Sequence, residues 1–167
     1  NSDILITDDF RAVLSEHNID EIDICLTPHL HNGACKDVLA AGKHAICEKP
    51  LVTSLAKADA LKKLSESSGC QIFPVFQYRY GVGRETHWVR LSSYYDVSWR
   101  GTWHGDNGGA LLGHAIHIHD LLPSILGPVD QLFADTGTRV NDIEVEDCAA
   151  LSIRMANGAL ITSSVTL

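Results

Sequence analysis

Ala41-Gly42-Lys43-His44-Ala45-Ile46-Cys47-Glu48-Lys49-Pro50-Leu51 is the stretch on which the fold turns. Gly42 stops the segment before it, because glycine enters the left-handed conformation that closes a helix without strain. His44–Cys47 then reads as a short buried strand, and Glu48-Lys49-Pro50 ends it. Upstream, residues 32–41 place Cys35, Val38 and Leu39 on one helical face. Before them, residues 22–26 read as another buried strand, ended by Thr27-Pro28 because proline donates nothing to a ladder. A first helix over residues 9–17 is capped by Asp8 or Asp9, with Phe10, Val13, Leu14 and His17 on one face. Downstream, residues 54–68 form an amphipathic helix with Leu55, Ala58, Leu61 and Leu64 inward; Thr53 or Ser54 caps it and Gly69 closes it. Residues 71–77 make a further strand, which Pro74 places at an edge or a bulge. Strands alternating with helices over short joins predict an α/β fold with a parallel sheet. Ligands of such sheets bind past the carboxyl ends of the strands. Two of those ends carry polar loops, Thr27-Pro28-His29-Leu30-His31 and Glu48-Lys49-Pro50.

The character changes after Gly81. Glu85–Arg90 is compatible with a strand, and residues 94–103 are aromatic and irregular. A helix is expected over residues 108–126, opened by Gly108-Gly109 and closed by Gly127-Pro128. Residues 129–138 read as extended. Residues 148–156 and 159–167 alternate around Asn157-Gly158, a strong hairpin signal. The second half is therefore a helix with a mostly antiparallel sheet.

Composition narrows the partners. With 13 basic and 21 acidic residues the net charge is −8, and Lys57, Lys62 and Lys63 are interleaved with acids on one helix, so no nucleic acid is expected. No apolar run reaches the ~20 residues that span a bilayer, so no membrane partner is expected either. The five cysteines form no C-x-x-C pair and several sit in apolar contexts, Cys25 and Cys47 among them. Reduced, buried thiols in a cytoplasmic protein are the reading.

Three groupings carry chemistry. Lys49 stands between Glu48 and Pro50 just past a buried strand, where a partly desolvated lysine can exchange a proton with a hydroxyl or polarise a carbonyl; the plain alternative is a surface lysine in a turn. His114-Ala-Ile-His117-Ile-His119-Asp120 sets His114 with His117, and His117 with Asp120, three residues apart on a helix. One of these histidines suits acid–base work. A metal site on His114, His117 and a carboxylate, or a packed or capping role, is also open, although the spacing lacks the i,i+4 pair of a zinc-protease helix. Trp99-Arg100-Gly101-Thr102-Trp103 with Tyr94 and Tyr95 suits a sugar ring, with an aromatic cluster under a loop as the alternative.

In this order the segments resemble the Gfo/Idh/MocA oxidoreductases, the glucose–fructose oxidoreductase and inositol dehydrogenase group. Ala41–Leu51 looks like that family's Glu-Lys-Pro signature, and Thr27–His31 like its loop on the nicotinamide side of the cofactor. Gly108-Gly109-Ala110-Leu111-Leu112, with His117 and Asp120, looks like its second-domain helix. The resemblance implies residues 1–80 as the C-terminal part of a Rossmann-type dinucleotide-binding domain. It implies residues 81–167 as part of an α+β substrate and oligomerisation domain with an open sheet. It implies NAD or NADP as cofactor, a sugar or polyol substrate, a homo-oligomer, and hydride transfer between nicotinamide and a sugar or polyol carbon. Lys49 and His117 take the catalytic roles, with His114 beside them. Thr27, Pro28, His31, Glu48 and Lys49 fall to the cofactor; Trp99, Arg100, Arg79 and His117 fall to the substrate. No metal is expected.

Two departures from the family stand out. Its aspartate four residues before the histidine is Gly113 here, with His114 adjacent. A non-catalytic cofactor- or sugar-binding regulator is the competing class on that ground. No Gly-x-Gly-x-x-Gly turn occurs in the 167 residues, and Gly81-Val82-Gly83-Arg84 opens no βαβ unit. That turn is expected to precede Asn1 in a longer polypeptide.

Overall fold

The computed structural model describes Ile4 and residues 6–80 and 92–167. Glu85–Arg90 and Gly81-Val82-Gly83-Arg84 lie outside the described residues. The chain forms two compact units, Asn1–Leu26 with Leu30–Val75, and Thr27–His29 with Phe76–Leu167.

The first unit is a parallel sheet in the order β1-β2-β3, from β1 (Glu21–Ile24), β2 (His44–Cys47) and β3 (Ile72–Pro74). Helices α1 (Phe10–Leu14), α2 (Pro28–Ala40) and α3 (Leu55–Ser68) accompany it. Local chemistry sets their ends. Asp9 accepts the Arg11 N–H at 2.9 Å and starts α1. Ser54 accepts the Lys57 N–H at 3.3 Å and starts α3. Gly42 and Gly69, at φ +73° and +72°, close α2 and α3 in the left-handed conformation. Cys35, Val38 and Leu39 of α2 pack with Ile24, Ala45, Cys47, Leu61 and Cys70 into one core. Burying each of its leucines stabilises the fold by about 1.5–3 kcal/mol. Pro74 ends the edge strand, where its missing N–H leaves no ladder bond unmade.

Three features differ from the sequence expectation, and Lys43 adds a tie that the sequence reading did not assign. The polar segment after β1 is the first turn of α2 and not a loop, because Pro28 occupies a first helical position, where no N–H is needed. β1 stops at Ile24, so Cys25 is exposed; Cys35, Cys47 and Cys70 are buried, Cys148 is half-buried, and all five are free. Leu55 is 85 % exposed, because it is the first residue of α3, which meets the core further along, at Leu61 and Leu64. Lys43 is buried and donates to the carbonyls of Glu16 at 2.6 Å and Ile19 at 2.8 Å, fastening the segment before β1 to the start of β2.

The second unit holds single 3-10 turns at Gln77–Arg79 and Ser92–Tyr95, a π-helical turn at Ala110–His114, and α4 (Ile116–Leu126). Its antiparallel sheet runs β4 (Val129–Gly137), β5 (Cys148–Met155) and β6 (Leu160–Thr166) in that spatial order. The one helix expected over 108–126 is thus divided by a wide turn, with Ala115 N–H bonded to Ala110 O at 2.9 Å. The β5–β6 turn is also not the two-residue form that Asn-Gly favours. Gly158 N–H bonds Met155 O and Met155 N–H bonds Ala159 O, each at 2.9 Å, with Gly158 alone at positive φ, +88°, in that turn. That is a type I turn closed by a glycine bulge. Ala149, Leu151, Ile153 and Met155 line one face of β5 and pack on Leu111, Leu122 and Leu126.

Asp147 is a buried charge of this unit. Its carboxylate accepts the N–H groups of Arg139 at 2.8 Å, Val140 at 2.7 Å and Asn141 at 2.8 Å. Burial alone pushes the carboxyl up, but the N–H groups of Asn141, Arg139 and Val140 outweigh it and hold it below the ordinary range. Asp147→Asn is expected to destabilise the protein by about 1–3 kcal/mol in urea unfolding. The charged form is the one held, so the native advantage is complete above the unfolded carboxyl value of about 3.9 and fades as pH falls through the lower folded value. The gap between wild type and variant should therefore close on acidification below about pH 4; a constant gap would mean that the charge is not what the loop holds.

Candidate active site

β1 and β2 are parallel in register, Ile24 opposite Cys47, so their carboxyl ends share one rim. Glu48 extends the pairing by one bond, donating to Ile24 O at 3.0 Å. The chain then turns through Lys49–Pro50, a cis peptide, with the Lys49 N–H on the Glu48 carboxylate at 3.1 Å. Glu48 and Lys49 are half-buried, and Pro50 is buried. On the other loop, Thr27 Oγ1 lies 3.2 Å from His29 Nδ1, and Pro28 opens α2.

His31, expected at the cofactor, is 1 % exposed. Its Nδ1 lies 2.7 Å from Pro50 O and its Nε2 2.8 Å from Leu26 O, so both ring nitrogens are turned to the protein's own main chain. The next residue, Asn32, has its Oδ1 buried with no hydrogen-bond partner among the described residues. These groups fit the nicotinamide end of a dinucleotide in kind. They include a hydroxyl, a carboxylate, an ammonium, and an orphaned acceptor that a ribose hydroxyl or a carboxamide N–H would satisfy.

In the second unit His117 sits in the first turn of α4, 8 % exposed. Tyr78 stacks on its ring at 4.8 Å and 24°, and Phe76 meets it edge-on at 6.3 Å. One turn along α4, Asp120 takes Nε and Nη2 of Arg79, each at 2.6 Å, so the Gln77–Arg79 turn and α4 are held together by this ion pair as well as by the Tyr78–His117 stack. Arg79, expected at the substrate, has that face of its guanidinium occupied. Sequence spacing marked Asp120, but nothing in the sequence marked Tyr78 as a partner of His117.

His114 ends the π-helical turn. With Gly113, Asp106, Tyr94 and Tyr95 it lines a cavity of about 30 Å³, room for a water molecule. Burial holds the His119 imidazole below its ordinary value. Among the described residues, no three His, Cys, Asp or Glu side chains gather as a metal site needs. Arg100 lies over the Tyr94 ring at 4.0 Å and near Trp99 at 5.2 Å, donating to Tyr94 O at 3.2 Å; Trp103 is exposed. The aromatic stretch is thus in large part packed around its own arginine.

Residues 2–76 match the oxidoreductase family with the NAD-binding Rossmann fold, and residues 76–167 match the GFO/IDH/MocA C-terminal domain. The chain belongs to the Gfo/Idh/MocA oxidoreductase family. Among its relatives are D-apiose dehydrogenase of Paraburkholderia graminis, 30% identical over 94% of this chain and 46% of its own length, and myo-inositol 2-dehydrogenase of Thermotoga maritima, 26% identical over 91% and 51%. The WlbA dehydrogenase of Bordetella pertussis, crystallised with NADH and UDP-GlcNAcA, superposes with a TM-score of 0.85 at 30% identity, over 95% of this chain and 51% of that one. Levoglucosan dehydrogenase with NADH and levoglucosan gives a TM-score of 0.83 at 25% identity, over 96% and 51%. The chain spans about half the length of the Gfo/Idh/MocA relatives it matches. Among the described residues no helix is long and apolar enough to cross a membrane.

Two glycines, one just before the π-helical turn and one within it, make opposite demands. A Cβ on Gly109 would collide with the Glu146 carbonyl, whose oxygen accepts the Ala110 N–H at 2.8 Å, whereas a Cβ on Gly113 would meet nothing within 4 Å among the described residues. Gly109→Ala is expected to lower stability by about 1–3 kcal/mol. Gly113→Ala should raise it by about 0.4–1 kcal/mol, through the entropy of the unfolded chain. Thermal melts of both variants check the contrast, and equal shifts would refute the packing described for this turn.

Proposed function

We propose that the protein is an NAD(P)-dependent oxidoreductase that moves a hydride between nicotinamide and a carbon of a sugar or polyol. The observation that carries this is Lys49, half-buried at the carboxyl end of β2 in a segment that matches the NAD-binding Rossmann family. When bound, the nicotinamide supplies the hydride chemistry. Thr27, Glu48 and Asn32 offer it polar contacts. The Lys49 amine takes the substrate hydroxyl proton as the alcohol becomes a carbonyl, and returns it in the reverse direction. His117, its ring set by Tyr78 and Phe76, hydrogen-bonds the reacting hydroxyl, and His114 stands at the end of the π-helical turn just before that helix. Asp120 and Arg79 fix where His117 stands. Trp99 and Arg100 offer an apolar face and a donor to the sugar.

The substrate class is supported by the dehydrogenases of D-apiose, myo-inositol and levoglucosan among the relatives. NADH in the solved neighbours supports a nicotinamide cofactor. We also propose self-association through the sheet of the second unit, where Leu132 and Phe133 on β4 are exposed. Five free cysteines favour a reducing compartment such as the cytoplasm. A non-catalytic binding role is the second reading, favoured by Gly113, which stands where the resemblance places an aspartate.

Lys49→Ala in the full-length protein separates the two. Proton transfer by this amine predicts a fall in kcat of about 100-fold or more. Binding of NADH, read by its fluorescence, should stay within about threefold, because the loss is confined to the transition state. Undiminished turnover would remove Lys49 from the mechanism. NADH binding with no turnover of D-apiose, myo-inositol or levoglucosan in wild type would favour the binding role.

A further inference from the structure

The two segments that leave β1 and β2 are joined by one enclosed ring. His31 stands one turn into α2, a helix held in the core by Cys35, Val38 and Leu39. It has 1 % of its surface exposed, so its ring cannot reach a ligand without a rearrangement of the loop. Its two nitrogens are spent on main-chain oxygens, Nδ1 on Pro50 at 2.7 Å and Nε2 on Leu26 at 2.8 Å. Leu26 is two residues past the end of β1, and Pro50 is the residue after Lys49. A carbonyl oxygen only accepts, so a ring nitrogen bonds its carbonyl by donating, and the two bonds together require a hydrogen on both nitrogens.

Lys49 thus lies between two fixed points. On its N-terminal side the Glu48 N–H is bound to Ile24 O at 3.0 Å. On its C-terminal side the Pro50 carbonyl is bound to His31. The second fixed point exists only through the imidazole, because no other bond to the Pro50 carbonyl is present among the described residues. A buried polar ring costs stability unless both of its ends are satisfied, and here both ends lie on the loops that form the rim.

We infer that His31 is a positioning residue for Lys49: through Nδ1 it fixes the Pro50 carbonyl, and with it the backbone that aims the Lys49 amine, while Nε2 ties that loop to the end of β1. The inference rests on the reading of Lys49 as the proton-transfer residue. It differs from a general structural role in depending on one nitrogen more than the other.

Two substitutions divide the nitrogens. The amide N–H of an asparagine falls near the Nδ1 position and keeps the Pro50 bond, whereas that of a glutamine reaches the Nε2 position and keeps the Leu26 bond. In the full-length protein, Lys49 is labelled with acetic anhydride at limiting concentration and quantified by mass spectrometry against the exposed Lys57, Lys62 and Lys63. Freeing the loop in His31→Gln should raise relative labelling of Lys49 by about fivefold, the equilibrium shift that loss of one hydrogen bond produces. His31→Asn should stay near wild type. Turnover should follow, with kcat of His31→Gln reduced about tenfold or more at unchanged KM, and restored in His31→Asn.

Equal labelling in the two variants would overturn the inference, even where Lys49→Ala is inactive. A Lys49→Ala enzyme that turns over normally would defeat the proposed function while leaving the labelling contrast to stand. One measurement needs no variant. In the wild-type protein the Nδ1–H of His31 should appear in proton NMR as a downfield, slowly exchanging resonance, and its absence would count against the bond to Pro50.

Discussion

Parallel pairing of Glu21–Ile24 with His44–Cys47 is the constraint from which the first unit follows. Parallel strands cannot be joined by a tight turn, so the chain must return along the sheet through α2 before β2 can begin. That return brings both carboxyl ends to one rim and leaves the loops after Ile24 and Cys47 side by side. It also sets the first turn of α2 directly after β1, which is how His31 comes to lie between them. The buried faces of α2 and β2 make the arrangement rigid, with Cys35, Val38, Leu39, Ala45 and Cys47 fully enclosed.

Much of this was legible in the sequence, for local reasons. Gly42 and Gly69 marked helix ends because left-handed backbone is a local demand that glycine meets. The period of Cys35, Val38 and Leu39 marked the inward face of α2. The order of Thr27-Pro28, Glu48-Lys49-Pro50 and Gly108-Gly109 marked the family, and the matches over residues 2–76 and 76–167 agree. Exact ends were less legible. Proline at position 28 ends a strand and begins a helix with equal ease, and tertiary packing decides which is seen. Leu55 fits the helical period yet lies outside the core, because periodicity gives direction around an axis and not the point along it where a neighbour begins.

The second unit shows the same limit at its helix. Composition from Gly108 to Leu126 reads as one continuous helix. The wide turn at Ala110–His114 arises instead where the chain passes close to Glu146, whose carbonyl takes the Ala110 N–H and whose carboxylate takes the Leu111 N–H at 3.1 Å. Gly109 permits that approach, and its reason lies 37 residues further along the chain, at Glu146. Wide turns of this kind recur at functional sites because the extra residue re-aims the side chains beside it, and His114 stands at its end.

The least legible residues are those that serve main-chain atoms. Lys43, Asp147 and His31 are each buried and each engages backbone groups: two carbonyls, three N–H groups and two carbonyls in turn. A side-chain partner leaves a trace in the sequence, as Arg79 and Asp120 do in charge. A backbone partner leaves none, because every residue type but proline carries the same N–H and every one the same carbonyl. A motif such as Glu-Lys-Pro therefore spells the chemistry of a site while hiding its support. For Lys49 that support includes the Ile24 carbonyl, the Pro50 carbonyl, the Glu48 carboxylate and the ring of His31, and the last two are side chains that substitution can remove.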